Sequence, residues 1–214
     1  MIDLILDDCM NVMKKYKDNH FDLAIVDPPY GINIAKNGSL GCDKFTKKNW
    51  DAERPSIKYF DELFRVSKNQ VIWGYNYFSD MLPPCKGFIY WNKLNHHSNR
   101  ADGELAYTSF DNLAKHFEYM WDGNRYGFPN NIKGVGQKSI RIHPTQKPIK
   151  LYEWLLHNYC EKGQKILDTH LGSGSIAVAC HYFGVDLVGV EIDKEYYNKA
   201  KKRIEMLTAQ ETLF

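Results

Sequence analysis

Asp27-Pro28-Pro29-Tyr30 is the first stretch of this sequence whose residue types could do chemistry. It directly follows Leu23-Ala24-Ile25-Val26, an apolar run with the character of a buried strand. Two successive prolines cannot continue a strand, and they hold the backbone stiffly. Asp27 and the Pro28 carbonyl then form a rigid pair of acceptors, with no proline N–H to compete. Tyr30 adds a flat aromatic face. Such a site suits a planar substrate bearing an NH2 group, whose two amino hydrogens meet the two acceptors while its ring stacks. An amine conjugated to an aromatic ring is a poor nucleophile. Two hydrogen bonds that favour a tetrahedral nitrogen localise its lone pair. The predicted contribution is therefore positioning and electrostatics, without a covalent intermediate.

A second constellation lies far along the chain. Lys165-Ile166-Leu167-Asp168 reads as a strand, Thr169-His170-Leu171-Gly172-Ser173-Gly174-Ser175 as a glycine-containing loop, and a helix follows from Ile176. The next strand, Leu187-Val188-Gly189-Val190, ends in Glu191, which follows Gly174 by 17 residues, a spacing that suits an acid binding ribose hydroxyls. Gly172-x-Gly174-x-x-Ala177 also satisfies the dinucleotide fingerprint, so a nicotinamide-dependent oxidoreductase is a rival reading. Asp168 opposes it, because a carboxylate at the loop mouth repels a pyrophosphate. S-adenosylmethionine, which brings an ammonium and a sulfonium and no phosphate, suits that carboxylate. Only 23 residues follow Glu191. The sheet must then begin at the other end of the chain, in a permuted order with Ile2–Leu6 completing the cofactor half.

The elements that position these groups alternate. Strands are predicted at Ile2–Leu6, Leu23–Val26, Gln70–Trp73, Phe88–Trp91, Leu105–Thr108, Lys165–Leu167 and Leu187–Val190. Helices are predicted at Met10–Tyr16, Ile57–Val66, Ile149–Tyr159, Ile176–Tyr182 and Lys194–Leu207. That pattern is α/β, an open doubly wound and mostly parallel sheet. Two stretches break it. Gly31–Pro55 reads as a long mobile loop, and Phe110–Arg141, with five glycines and prolines spread along it, reads as an irregular insert.

Length and composition set the outer limits. The 214 residues suit a single domain, and 43% hydrophobic residues supply a sizeable core. No apolar run is long enough to span a bilayer and the first residues lack a signal-peptide pattern, so a cytoplasmic protein is expected. The five cysteines are scattered without C-x-x-C spacing, which argues against a disulfide framework and a zinc cluster. His96-His97 lacks further ligands at metal spacing, so no metal is expected. Cys85, after Pro84, reads as a loop residue and not a nucleophile. A net charge of +2 says little about partners.

Four elements, in order, resemble those of amino-group DNA methyltransferases of the β class. Asp27–Tyr30 resembles their catalytic motif in its adenine-N6 form, and Asp168–Ser175 resembles their cofactor loop, usually Asp-Pro-Phe-x-Gly-x-Gly. Leu6-Asp7-Asp8-Cys9 resembles their Gly-Asp-Cys element, and His143-Pro144-Thr145-Gln146-Lys147-Pro148 resembles the element before the cofactor strand. Thr169-His170 departs from the usual Pro-Phe, and Asp7 stands where glycine is common. The resemblance implies an S-adenosylmethionine-dependent (Rossmann-like) fold and methyl transfer to adenine N6, with cytosine N4 as the alternative. Asp27, Pro28, Pro29 and Tyr30 would be the catalytic residues. Cofactor contacts would come from Asp8, Cys9 and Asp27; from His143, Thr145 and Lys147; and from Asp168, His170, Leu171, Gly172, Ser173, Gly174, Ser175, Glu191 and Ile192. The implied partner is duplex DNA with a flipped adenine, and a homodimer and a companion restriction enzyme are compatible with the family. A catalytically silent DNA-binding regulator on the same fold is the contrasting reading, and the intact Asp27 motif argues against it. Target recognition is expected from Phe110–Arg141, where Lys115, His116, Arg125, Lys133, Lys138 and Arg141 alternate with aromatic residues.

Overall fold

The computed structural model describes residues 1–34, 48–96, 101–122, 125–134 and 141–209. An eight-stranded sheet runs through it, built in chain order from β1 (Ile2–Leu6), β2 (Phe21–Val26), β3 (Ser67–Trp73), β4 (Phe88–Asn92), β5 (Gly103–Thr108), β6 (Lys115–Glu118), β10 (Lys165–Asp168) and β11 (Asp186–Glu191). Their spatial order is β1-β11-β10-β2-β3-β5-β4-β6. Both pairings of β5 are antiparallel and all the other pairings are parallel.

Burial on both faces explains the unbroken apolar runs. Leu23 and Ile25 of β2 face one core, while Phe21, Ala24 and Val26 face the other. Val71 and Trp73 of β3 divide from Ile72 in the same way. Helices α4 (Ile149–Tyr159), α5 (Ser175–Phe183) and α6 (Lys194–Thr208) contribute Leu155, Ala177 and Ile204 to the first core. Helices α1 (Cys9–Met13), α2 (Ile57–Val66) and α3 (Tyr75–Phe78) contribute Met13, Leu63 and Phe78 to the second.

This topology is the permuted one expected: β10 sits in the middle of the sheet, between β11 and β2, although it comes late in the chain. The carboxyl ends of β1, β11, β10, β2 and β3 therefore share one edge of the sheet. The antiparallel β5 begins at that same edge, because its first residue, Gly103, pairs with Asn92 at the end of β4.

Two stretches differ from their sequence reading. Phe110–Arg141 is not wholly irregular. Lys115–Glu118 forms β6 on the main sheet, and β7 (Met120–Trp121), β8 (Arg125–Gly127) and β9 (Lys133–Gly134) form a small antiparallel sheet. Phe117 and Tyr119 are buried in the core, so these aromatics pack the segment onto the body. β6 escaped prediction because Lys-His-Phe-Glu offers a single apolar residue to the core.

Of Gly31–Pro55, residues 35–47, with Lys36, Lys44 and Lys47, lie outside the described residues. The flanks are tied down. Buried Asp51 accepts hydrogen bonds from the Gly31 and Ile34 amides, both at 2.9 Å. Lys48 pairs with Asp193 at 2.5 Å and with Glu195 at 2.9 Å.

Among the described residues, no helix is long and apolar enough to cross a membrane, and no group of three or more His, Cys, Asp or Glu could hold a metal ion. Lys138 and His97 fall outside those residues.

Candidate active site

Two cavities open at the carboxyl edge of the sheet, with volumes of about 480 and 320 Å³. Asp27, Pro29, Trp50, Thr145, Gln146 and Lys147 line both, so the two meet at the end of β2. Sites for small molecules have this size and place in open α/β sheets.

At the junction the Asp27 carboxylate is held from two sides. The Tyr30 hydroxyl donates to Oδ1 at 2.6 Å, and the Lys147 ammonium donates to Oδ2 at 2.5 Å. A carboxylate has about four lone-pair positions, so each oxygen keeps one for a further donor. Burial and the neighbouring Asp27 carboxylate push the Tyr30 phenol well above its ordinary pKa, so it remains a donor. The Tyr30 ring stacks on Tyr77, with centroids 4.8 Å apart and planes at 16°. Gly74, at the end of β3, leaves the room for it: a Cβ there would stand 2.4 Å from Tyr30 Cε1.

Lys147 departs from its expected place beside the cofactor alone. Its ammonium lies between Asp27 and Glu104, 3.0 Å from Glu104 Oε2. Lys93, just after β4, pairs with the same Glu104. Burial would lower the Lys147 pKa, but Asp27 and Glu104 outweigh it and raise it. Burial would likewise raise Glu104, and Lys147 and Lys93 bring it down to about 2. Neither Glu104 nor Lys93 was expected in the site. The available signal was a charged residue at the end of each of two mostly apolar runs, since a charge at a buried position needs a partner.

The smaller cavity is lined by Asp8, Cys9, His143, His170, Leu171, Gly172, Ser173, Glu191 and Ile192, all expected there. Asp8 also caps α1, accepting from the Met10 amide at 2.7 Å. The Glu191 carboxylate accepts from the Gly172 amide and from the Asp193 amide, each at 2.9 Å. It thus ties the loop after β10 to the start of α6. Gly172 and Gly174 take left-handed conformations, with φ of 53° and 70°, which only glycine adopts readily. A Cβ on Gly174 would also stand 2.7 Å from Ile204 of α6.

Asp168, Gly174 and Ser175 do not line the cavity; they build the loop from beneath. Asp168 is buried, and its carboxylate accepts from the His170 amide at 3.0 Å. Burial pushes its pKa up to about 8, with Asp27 and Glu191 adding to the rise. Ser175 donates to the Lys147 carbonyl at 2.7 Å, joining the loop to the His143–Pro148 segment. His143 packs on Tyr196 at 4.3 Å and on Trp50 at 5.3 Å. Burial holds His143 near 3 and His170 near 4, so both rings are neutral. Burial pushes the Cys9 thiol up to about 12, which makes it a poor nucleophile.

The cavity is therefore acidic, with Asp7, Asp8, Asp27 and Glu191 on its walls, and Lys147, the one lysine among the described residues that line it, is committed to Asp27 and Glu104. That balance fits a ligand with cationic groups and opposes a pyrophosphate. Trp50 and Tyr196, which complete its wall, carry no motif by which sequence could single them out.

Comparison with known proteins gives a consistent picture. A family model for N6/N4-type DNA methylases matches residues 84–202. Type II methyltransferase M.HpaI of Haemophilus parainfluenzae is 26% identical over 238 residues, covering 94% of this chain and 74% of that protein. Type II methyltransferase M2.DpnII of Streptococcus pneumoniae is 26% identical over 239 residues, covering 94% and 89%. The crystal structure of an M1.HpyAVI–SAM complex superposes with a TM-score of 0.59 at 23% identity, over 95% of this chain and 99% of that one.

Proposed function

The chain belongs to the N6/N4 DNA methylase family, and from that premise we propose that it transfers a methyl group from S-adenosylmethionine to the N6 amine of adenine flipped out of duplex DNA. The observation that carries this reading is the place of Asp27, at the junction of two cavities, with both carboxylate oxygens oriented by Tyr30 and Lys147.

S-adenosylmethionine, when bound, supplies an electrophilic methyl group on a sulfonium. The smaller cavity suits it, with Asp8 and Glu191 toward the nucleoside and the Leu171–Ser173 loop toward the amino-acid end. Asp168 beneath that loop contributes a negative field and no direct contact. The larger cavity receives the base. Tyr30, backed by Tyr77, presents its ring for stacking, and Trp91 and Trp121 add apolar wall. The free lone pairs of Asp27 and the Pro28 carbonyl accept the two amine hydrogens. They turn the nitrogen lone pair toward the neighbouring cavity. Methylation leaves the amine one proton to shed, which the Asp27 carboxylate accepts and passes to solvent.

Adenine is favoured over cytosine by the Asp at the head of the motif, since Ser-Pro-Pro-Tyr is the form that suggests cytosine N4. The β7–β9 sheet, with exposed Arg125 and Lys133 and with Phe128 at 48% exposure, supplies contacts to the DNA outside the base.

The test is product analysis. DNA incubated with the protein and labelled S-adenosylmethionine is digested to nucleosides and separated. Label in N6-methyladenosine supports the reading, label in N4-methylcytidine moves the acceptor to cytosine, and no label on any DNA overturns it.

A further inference from the structure

Lys93, Glu104, Lys147 and Asp27 form one row of alternating charge that runs from the end of β4, across the start of β5, to the end of β2. The row is largely withdrawn from water: side-chain exposure is 17% for Lys93, 22% for Glu104, 5% for Lys147 and 19% for Asp27. A buried lysine needs a counter-charge, and Asp27 alone supplies one. Glu104 supplies the counter-charge to Lys93, and toward Lys147, which Asp27 already balances, its effect is on direction.

An ammonium carries three donors and no acceptor. With only Asp27 and the Tyr30 hydroxyl, 3.4 Å away, as partners, it is free to spend two of them on the carboxylate oxygens and so occupy lone pairs that an incoming amine needs. The Glu104 carboxylate, its Oε2 3.0 Å from the ammonium in an ion pair, attracts the ammonium and holds it on the Oδ2 side of Asp27. Lys93 grips Glu104 from its far side, so the carboxylate cannot turn away. The rings of Trp73, at 5.3 Å, and Tyr30, at 5.8 Å, bound the remaining space around the ammonium.

We propose that Glu104 is a positioning residue for methyl transfer, holding the Lys147 ammonium so that Asp27 keeps one lone pair on each oxygen for the substrate amine. The inference rests on Asp27 as amine acceptor. Its charge row is tied together by β5, whose antiparallel direction brings Glu104 to the catalytic edge.

The test is a double-mutant cycle on single-turnover methyl transfer, with Glu104→Gln, Lys147→Met and the double variant, each also titrated with S-adenosylmethionine. Gln keeps the shape of Glu104 and removes its charge. The expected result for E104Q is a transfer rate lower by about tenfold or more, with cofactor affinity unchanged within about twofold. In the K147M background the same change costs nothing further, because Glu104 acts only through Lys147. An E104Q rate within about twofold of the parent overturns the proposal, as does an equal loss in both backgrounds. A loss of cofactor affinity in step with rate also overturns it, since that marks a structural role. Should E104Q fail to fold, the comparison of K147M with the double variant decides, and a triple variant that adds Lys93→Met removes the charge that the loss of Glu104 leaves unpaired. Failure of the underlying reading looks different: Asp27→Ala would stay active, whatever E104Q does.

Discussion

The Lys147 ammonium lies 2.5 Å from Oδ2 of Asp27 across 120 residues of chain, and the same lysine contacts Glu104. Ion pairs with these properties can be exchanged for apolar groups without loss of stability, whereas removing one partner leaves an uncompensated buried charge. The placement at the meeting of two cavities points to orientation as what the lysine contributes. Several consequences can be measured.

Gly74 is the first. Its φ is 82°, and an added Cβ would stand 2.4 Å from the Tyr30 ring. Gly74→Ala is expected to displace Tyr30, lower the methyl-transfer rate by about tenfold or more, and cost roughly 1–2 kcal/mol of stability. Rate measurements and chemical denaturation check this. An unaltered rate would show that the Tyr30 position is not critical.

Glu191 is the second. Its two oxygens accept from the Gly172 and Asp193 amides. In Glu191→Gln one acceptor becomes an NH2 group that faces an N–H. Leaving a buried donor unpaired costs about 1–3 kcal/mol. Cofactor affinity should fall by about fivefold to a hundredfold in calorimetry. Unchanged affinity would remove Glu191 from the loop's support.

Asp168 gives a pH dependence. Burial raises its pKa to about 8, so without a ligand it is mostly protonated at neutral pH. A cationic ligand nearby favours the ionised form, so binding releases a proton below about pH 8. Affinity for S-adenosylmethionine should rise as pH increases from 6 toward about 8 and then level off, while Asp168→Asn should flatten that rise. The sign is opposite for the unliganded protein. A carboxyl raised in the folded state contributes stability that is lost as pH climbs through about 8. Thermal melts should therefore show the apo protein losing stability over that range relative to D168N.

DNA contact by the small sheet is open to a charge test. Lys133 is exposed on β9. Lys133→Glu should weaken DNA binding without affecting cofactor binding and reduce the slope of affinity against salt by about one ion. An unchanged slope would place the DNA elsewhere on the surface.

Much of this architecture was legible because strands write themselves as short apolar runs and helices as longer periodic ones: the strand Ile2–Leu6 and the helices Ile57–Val66 and Ile149–Tyr159 match the structure to the residue. Asp27 and Glu191 stood out because each ends such a run. The Lys147–Glu104 contact did not, since it depends on β5 running antiparallel between β3 and β4, which no local periodicity encodes. Asp168 was recognisable as an acid at the loop, but its burial beneath the loop was not. Gly74 carries no sequence signal beyond following the predicted strand Gln70–Trp73, and its task of making room for Tyr30 exists only in three dimensions.

The central claim is that Asp27 receives the substrate amine. Asp27→Ala, assayed for label transfer from S-adenosylmethionine to DNA and separately for cofactor binding, tests it most directly. Transfer should fall by at least about a hundredfold, with cofactor affinity held within about threefold. Near-parental transfer by Asp27→Ala would contradict the account.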